Sequence, residues 1–228
     1  MDFPGLPARL ALVRETVASS QAARGWRHPV RIVGVTKTHG PEAVRAAVAA
    51  GLRDVGENRV QEALQKQQAL ADLPVEWHLI GTLQRNKARN VVGRFALIHS
   101  VDRADLAAEL DRRSTDGGRQ PVLVQVNCSG EPQKGGVSPE SLPPLLDELQ
   151  SLERLEIQGL MTMSALTDDQ VEQRRSFRLL RELREAAERS GHRLPELSMG
   201  MSGDYAIAVE EGATMIRLGT VLFGARDT

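Results

Sequence analysis

Eight short apolar runs, spread along nearly the whole chain and separated by helix-like segments, restrict this sequence to very few folds. They are "VRIVGVT" (30–36), "RDVGE" (53–57), "EWHLIG" (76–81), "ALIHSVD" (96–102), "PVLVQVN" (121–127), "LEIQGLMTM" (155–163), "ELSMGMS" (196–202) and "TMIRLG" (214–219). Their Val, Ile, Leu and Met content is that of strands buried on both faces. An amphipathic segment from Leu6 to about Gln21 precedes them. The intervening segments carry helix punctuation: "GPEAVRAAVAAG" has Pro41 near its first turn and Gly51 just past its end. "TDDQ" (167–170) is a capping-box pattern opening a long charged helix that closes at Gly191. Eight strands alternating with eight helices predict a parallel sheet. At 228 residues a single α/β barrel of the (β/α)8 TIM type, with an extra N-terminal helix, fits better than an open sheet. An internal echo, "AAVAAGLRDVG" and "AIAVEEGATMIRLG", repeats the order helix, glycine stop, short strand, glycine. The rival doubly wound sheet lacks a G-x-G-x-x-G after the first strand. With no linker or low-complexity stretch, one domain over residues 1–228 is expected.

Composition removes several function classes. The net charge is −1 and aromatics make up 3%, so neither a basic footprint nor stacking platforms for nucleic acid are expected. No run reaches the roughly 18 apolar residues of a membrane helix, and the start lacks a secretory signal pattern. The five histidines and the lone Cys128 do not form a zinc-like spacing. A single cysteine cannot close an internal disulfide, which fits a cytoplasmic location.

In such a barrel, chemistry gathers at the carboxyl ends of the strands. Read in order, those ends carry Lys37; Glu57 and Asn58; His78 and Gly81; Asn127; Met161 to Ser164; Ser202; and Arg217 to Thr220. Lys37 ends an apolar run, so it is either a snorkelling surface lysine or a desolvated amine able to form a Schiff base. Asn58 and Ser202 are either helix N-caps or ligand contacts. "SMGMSGD" and "RLGT", after strands seven and eight, match the place where barrels bind phosphate through backbone N–H groups. Arg217 interrupts the apolar run "MIRLG", which points it into the barrel mouth, where a charge needs a partner. An amine, a phosphate cradle and an inward arginine indicate a phosphorylated carbonyl ligand. On these residues alone a Schiff-base aldolase of a sugar phosphate is the favoured chemistry.

The loop "CSGEPQKGGVSPE" is long and glycine-rich, as a lid would be, with Lys134 either a second amine or a solvated lysine. His78 is read as a hydrogen-bonded core histidine. Cys128 is open between inert and reactive. "EQRRSFRLLRELREAAER" is read as a solvated helix face carrying Phe177, Leu180 and Leu183 inward.

The blocks "VGVTKTH", "GENRVQEA", "WHLIGTLQRNKAR", "VNCSGEPQKGGV", "GLMTMS", "LSMGMSGD" and "IRLGTVLFGAR" run in order from about residue 30 to Arg226. Together they resemble the pyridoxal phosphate homeostasis proteins, the YggS/PROSC-like family. The resemblance implies a barrel similar to the N-terminal domain of alanine racemases, with pyridoxal 5′-phosphate (PLP) held as a Schiff base on Lys37. It places Arg217 at the pyridine nitrogen, Ser202, Gly219 and Thr220 at the phosphate, and Asn58 against the ring side. Thr82 and Gly135 depart from the family pattern, away from these contacts. The implied function is a monomeric, non-catalytic buffer of intracellular vitamin B6 that delivers PLP to apo-enzymes. The alternative is a slow PLP-dependent amino-acid racemase. An arginine at the ring nitrogen weakens carbanion stabilisation. Racemisation also needs a second base opposite Lys37. In alanine racemases that base is a tyrosine from an additional β domain, which the chain, ending at Thr228, is expected to lack. The sole tyrosine, Tyr205, is read as packing.

Overall fold

A computed structural model describes residues 3–114 and 118–224. The final residues of the "IRLGTVLFGAR" block, Ala225 and Arg226, lie outside them. Eight parallel strands close into a barrel in chain order: β1 (Arg31–Val35), β2 (Asp54–Glu57), β3 (Glu76–Leu79), β4 (Leu97–Val101), β5 (Gln120–Gln125), β6 (Leu155–Met161), β7 (Glu196–Ser198) and β8 (Met215–Leu218). β1 pairs with β8, Gly34 opposite Leu218, which completes the ring. Every expected run contains a strand, most of them trimmed by a few residues and β5 beginning one residue earlier, at Gln120.

The helices are α1 (Leu6–Arg24), α2 (Pro41–Ala49), α3 (Val60–Ala69), α4 (Ala104–Arg113), α5 (Leu142–Leu149), α6 (Gln170–Arg189), α7 (Tyr205–Glu210) and α8 (Thr220–Phe223). α1 precedes the barrel and α8 follows β8, so six of the seven connections between strands carry an α-helix, and the third, expected as a helix, is a 3₁₀ segment over Arg85–Asn90. Only Ala88 is buried within it, with the C-cap Val91 buried three residues on. That spacing suits the eclipsed side chains of a 3₁₀ turn, and it leaves no apolar stripe to hold a longer helix.

Two helix features refine the sequence reading. α6 is capped by Asp169, whose carboxylate accepts the Val171 N–H at 2.8 Å, while Thr167 Oγ1 accepts the Asp169 N–H one step earlier. A carboxylate at the positive helix end is a stronger cap than the threonine of the expected capping box. The charged face of α6 is also not simply solvated. Arg174, Arg178 and Arg181 converge on Glu211, and Arg174 also holds Glu210, which ties α6 to α7. Burial pushes the Glu211 carboxyl up, but its arginine hydrogen bonds outweigh that and hold it below the usual carboxylate range.

The internal echo is structural. Gly51 and Gly212 follow α2 and α7 with φ of 78° and 94°, left-handed turns that let each helix reverse into β2 or β8. The main core lies between strands and helices. Val33, Leu97, Leu123, Met161 and Met215 form a separate apolar layer inside the barrel, as alternating strand residues should. Among the described residues no helix is long and apolar enough to cross a membrane.

Candidate functional site

Lys37 sits on a tight turn at the end of β1. The His39 N–H bonds to the Thr36 carbonyl at 3.0 Å, and Thr38 has φ of 70°. A positive φ at the third residue alone makes this a type II turn with Lys37 at its second position. Thr38 is the only non-glycine residue with positive φ among those described. A β-branched residue there is strained, and such strain needs surrounding structure to hold it.

A buried ion pair supplies that support. Lys66 Nζ, from α3, bonds to the Thr36 carbonyl at 2.8 Å and to Glu57 Oε1 at 2.5 Å. The Thr36 hydroxyl donates to the same Glu57 oxygen. The Glu57 side chain is fully buried and that of Lys66 nearly so. The β1–β2 ends and α3 are thereby clamped behind Lys37, which itself is half-buried.

On one side of Lys37 lies the β2 end, where Asn58 Oδ1 is buried without a hydrogen-bond partner. Gly81 closes against it: a Cβ on Gly81 would lie 2.2 Å from the Asn58 carbonyl oxygen. Only glycine permits that approach. Gly81→Ala is therefore expected to push the two strand ends apart and to destabilise the fold by about 1–3 kcal/mol, read as a lower melting temperature.

On the other side is the β8 end. The Ser202 hydroxyl accepts the N–H groups of Gly219 at 3.2 Å and Val221 at 3.3 Å, bridging two loops across the mouth. Thr220, exposed, opens α8. Asn58 and Ser202 are not N-caps of the helices that follow them; those caps are Arg59 and Asp204. Ser202 instead holds backbone donors of the adjoining loop and keeps its own hydroxyl proton to donate. Arg217 lies deeper, buried, with Nη1 on Ser198 Oγ at 2.7 Å and Nη2 on the Thr162 carbonyl at 2.9 Å. Burial lowers its pKa to about 10, opposed by the nearby Asp204, so it stays cationic at neutral pH.

The sequence-predicted residues thus gather at one end of the barrel, with Arg217 beneath Lys37, Asn58, Ser202, Gly219 and Thr220. Of the residues that hold them, Thr36, Glu57 and Ser198 lie within the sequence blocks, which mark no supporting role for them, and Lys66 lies outside every block. A cavity of about 810 Å3 between Trp77, Arg94, Arg113 and Arg119 lies at the opposite end, beside the starts of β3 and β5.

The remaining candidates fall outside this set. The loop after β5 is pinned. Asn127 Nδ2 donates to the Glu131 and Lys134 carbonyls, and Gln125 donates to the Gly135 carbonyl. The Lys134 ammonium is bound by the Glu131 carboxylate and the Ser164 carbonyl. His78 is a hydrogen-bonded interior residue, as expected. Tyr205 packs against the core. Burial pushes the Cys128 thiol up to about 12, a Thr162 hydrogen bond opposing. At pH 8 its thiolate fraction is then on the order of one in ten thousand. Ellman's reagent is expected to react with Cys128 only after unfolding; prompt labelling of the native protein would contradict this.

The sequence matches the family model described as "Alanine racemase, N-terminal domain" over residues 15–227. A pyridoxal phosphate homeostasis protein of Aquifex aeolicus is 45% identical over 222 residues, covering 96% of this chain and 97% of that one. The chain belongs to the pyridoxal phosphate homeostasis protein family. Among solved structures, PipY of Synechococcus elongatus PCC7942 with PLP bound is 41% identical, with a TM-score of 0.85 over 96% of this chain and all of that one. The alanine racemase of Clostridium difficile 630 shares the fold at 15% identity and a TM-score of 0.76, covering 94% of this chain and 59% of the racemase. The homeostasis family is thus built on the racemase barrel, as the sequence blocks implied.

Proposed function

We propose that this chain binds PLP at the barrel mouth through Lys37 and acts in vitamin B6 homeostasis as a reversible, non-catalytic carrier. The observation that carries this reading is the setting of Lys37 between the orphaned oxygen of Asn58 and the Ser202–Gly219 cradle. The donor set fits the cofactor. The Ser202 hydroxyl, which accepts the N–H groups of Gly219 and Val221 and keeps its own proton to donate, suits a phosphate, which the small residues around it let approach. Asn58 would lie against the ring side, and its buried oxygen lacks a partner that a ligand would supply. When bound, PLP supplies an aldehyde that condenses with a lysine amine to a Schiff base.

The chain's own residues set what that chemistry becomes. Lys37, on its clamped turn, presents the amine. Arg217, cationic and held on two acceptors, would face the ring nitrogen and keep a proton off it, which would leave the ring a weak electron sink. The racemase alternative needs a second base, and the only tyrosine of the chain, Tyr205, packs against the core. A monomer in the cytoplasm, handing PLP to apo-enzymes, completes the reading; one buried, free cysteine fits a reducing compartment.

Borohydride reduction of the PLP-treated protein, followed by peptide mapping, tests the site. A phosphopyridoxyl adduct on the peptide containing Lys37 is expected. An adduct only elsewhere, or none, would overturn the assignment.

A further inference from the structure

Behind Arg217, four more side chains run in a single hydrogen-bonded file through the barrel interior. Arg217 Nη1 lies 2.7 Å from Ser198 Oγ, and Ser198 Oγ lies 2.9 Å from His99 Nδ1. His99 Nε2 is 3.0 Å from His78 Nδ1, and His78 Nε2 is 3.0 Å from Asp54 Oδ1. Ser198 and both histidines are fully buried, while the Asp54 side chain is about a quarter exposed where β2 begins, at the end opposite the mouth.

The two ends impose one direction on the file. A guanidinium only donates and a carboxylate only accepts. Ser198 therefore accepts from Arg217 and has its one proton to give to His99 Nδ1. A neutral His99 then carries its proton on Nε2 and donates to His78 Nδ1. His78 in turn carries its proton on Nε2 and donates to Asp54. The charged groups facing the file are Arg217 and Asp204 at one end, Asp54 and Arg31 at the other. Burial foremost, then His78, Arg217 and Arg31, hold His99 well below the ordinary histidine pKa, which keeps it neutral.

We propose that Asp54, His78, His99 and Ser198 are positioning residues for Arg217. They fix the plane of its guanidinium, together with the Thr162 carbonyl, and they connect it to a carboxylate at the far end of the barrel. The inference rests on the reading of Arg217 as the partner of the ring nitrogen. It extends that reading by making affinity for the ring depend on residues remote from the mouth.

The first test uses the ligand-free wild-type protein. Long-range ¹H–¹⁵N spectra of its histidines at pH 7 are expected to show a neutral His99 with its proton on Nε2 and a His78 Nδ1 that carries none. A proton on Nδ1 of either ring, or a charged His99, would overturn the file. The second test titrates PLP into variants. Ser198→Ala and His99→Leu, which break the file, are expected to bind about tenfold more weakly, the loss of roughly one charge-assisted hydrogen bond. His99→Gln keeps one donor and one acceptor and is expected to bind like wild type. Wild-type affinity in both broken variants would overturn the positioning role. Failure of the wild type to take up PLP would instead overturn the cofactor reading, leaving the histidine spectra to decide the file. Should either broken variant not fold, Asp54→Asn, which keeps an acceptor for His78 but removes the charge, is expected to weaken PLP binding. Unchanged affinity there would overturn the role of the remote carboxylate.

Discussion

Lys37→Ala is expected to yield a colourless protein that no longer captures PLP covalently, where the wild type is expected to turn yellow on PLP treatment. Residual binding through the phosphate cradle should be weaker by at least about a hundredfold, ~2.7 kcal/mol. The fold should survive. Lys37 is half-buried and makes no side-chain hydrogen bond or ion pair among the described residues, so its truncation removes no packed or paired group. Surface-type substitutions of this kind stay within about 0.5 kcal/mol. A melting curve matching wild type, together with lost colour, separates a binding role from a structural one. A yellow Lys37→Ala protein would move the covalent site elsewhere.

The second large effect is on stability. Lys66→Met is expected to lower the melting temperature by on the order of 10 °C. It removes the cation from Glu57, whose side chain has no exposure and whose Oε2 already lacks a partner. Breaking one side of a buried pair costs about 3–5 kcal/mol, and each kcal/mol shifts a domain of this size by roughly 2–4 °C. The loss reaches the site as well, because Lys66 also holds the Thr36 carbonyl at the base of the Lys37 turn. The double variant Lys66→Met, Glu57→Leu should recover much of the stability, since apolar replacement of a buried pair is commonly tolerated. Calorimetric melts of the three proteins decide it; a Lys66→Met protein as stable as wild type would mean that the pair holds nothing in place.

The features legible in the sequence are those that local pattern determines. Apolar runs with glycine punctuation mark all eight strands, and a lone charge within "MIRLG" is enough to turn Arg217 inward. The third crossover departs from expectation because "RNKARN" is compatible with an α-helix by propensity; its one buried side chain, Ala88, and the buried C-cap Val91 three residues on favour the 3₁₀ form instead. Lys66 carries no local sign, lying in the polar stretch "LQKQQ" of α3. Its role follows from how α3 packs over the ends of β1 and β2. His99 and Ser198 are 99 positions apart, and only barrel closure brings them to 2.9 Å. The strand-end candidates are visible because barrel topology assigns them a place. The roles of their supports are not, because those residues act through long-range side-chain contacts.

The central claim is that this mouth holds its ligand without turning it over. It is met most directly by following Cα–H exchange of L-amino acids in D2O by NMR, with the PLP-loaded protein, Lys37→Ala and free PLP side by side. The account predicts exchange no faster than free PLP while the protein stays yellow. Lys37-dependent exchange well above free PLP would contradict it and make the protein an enzyme.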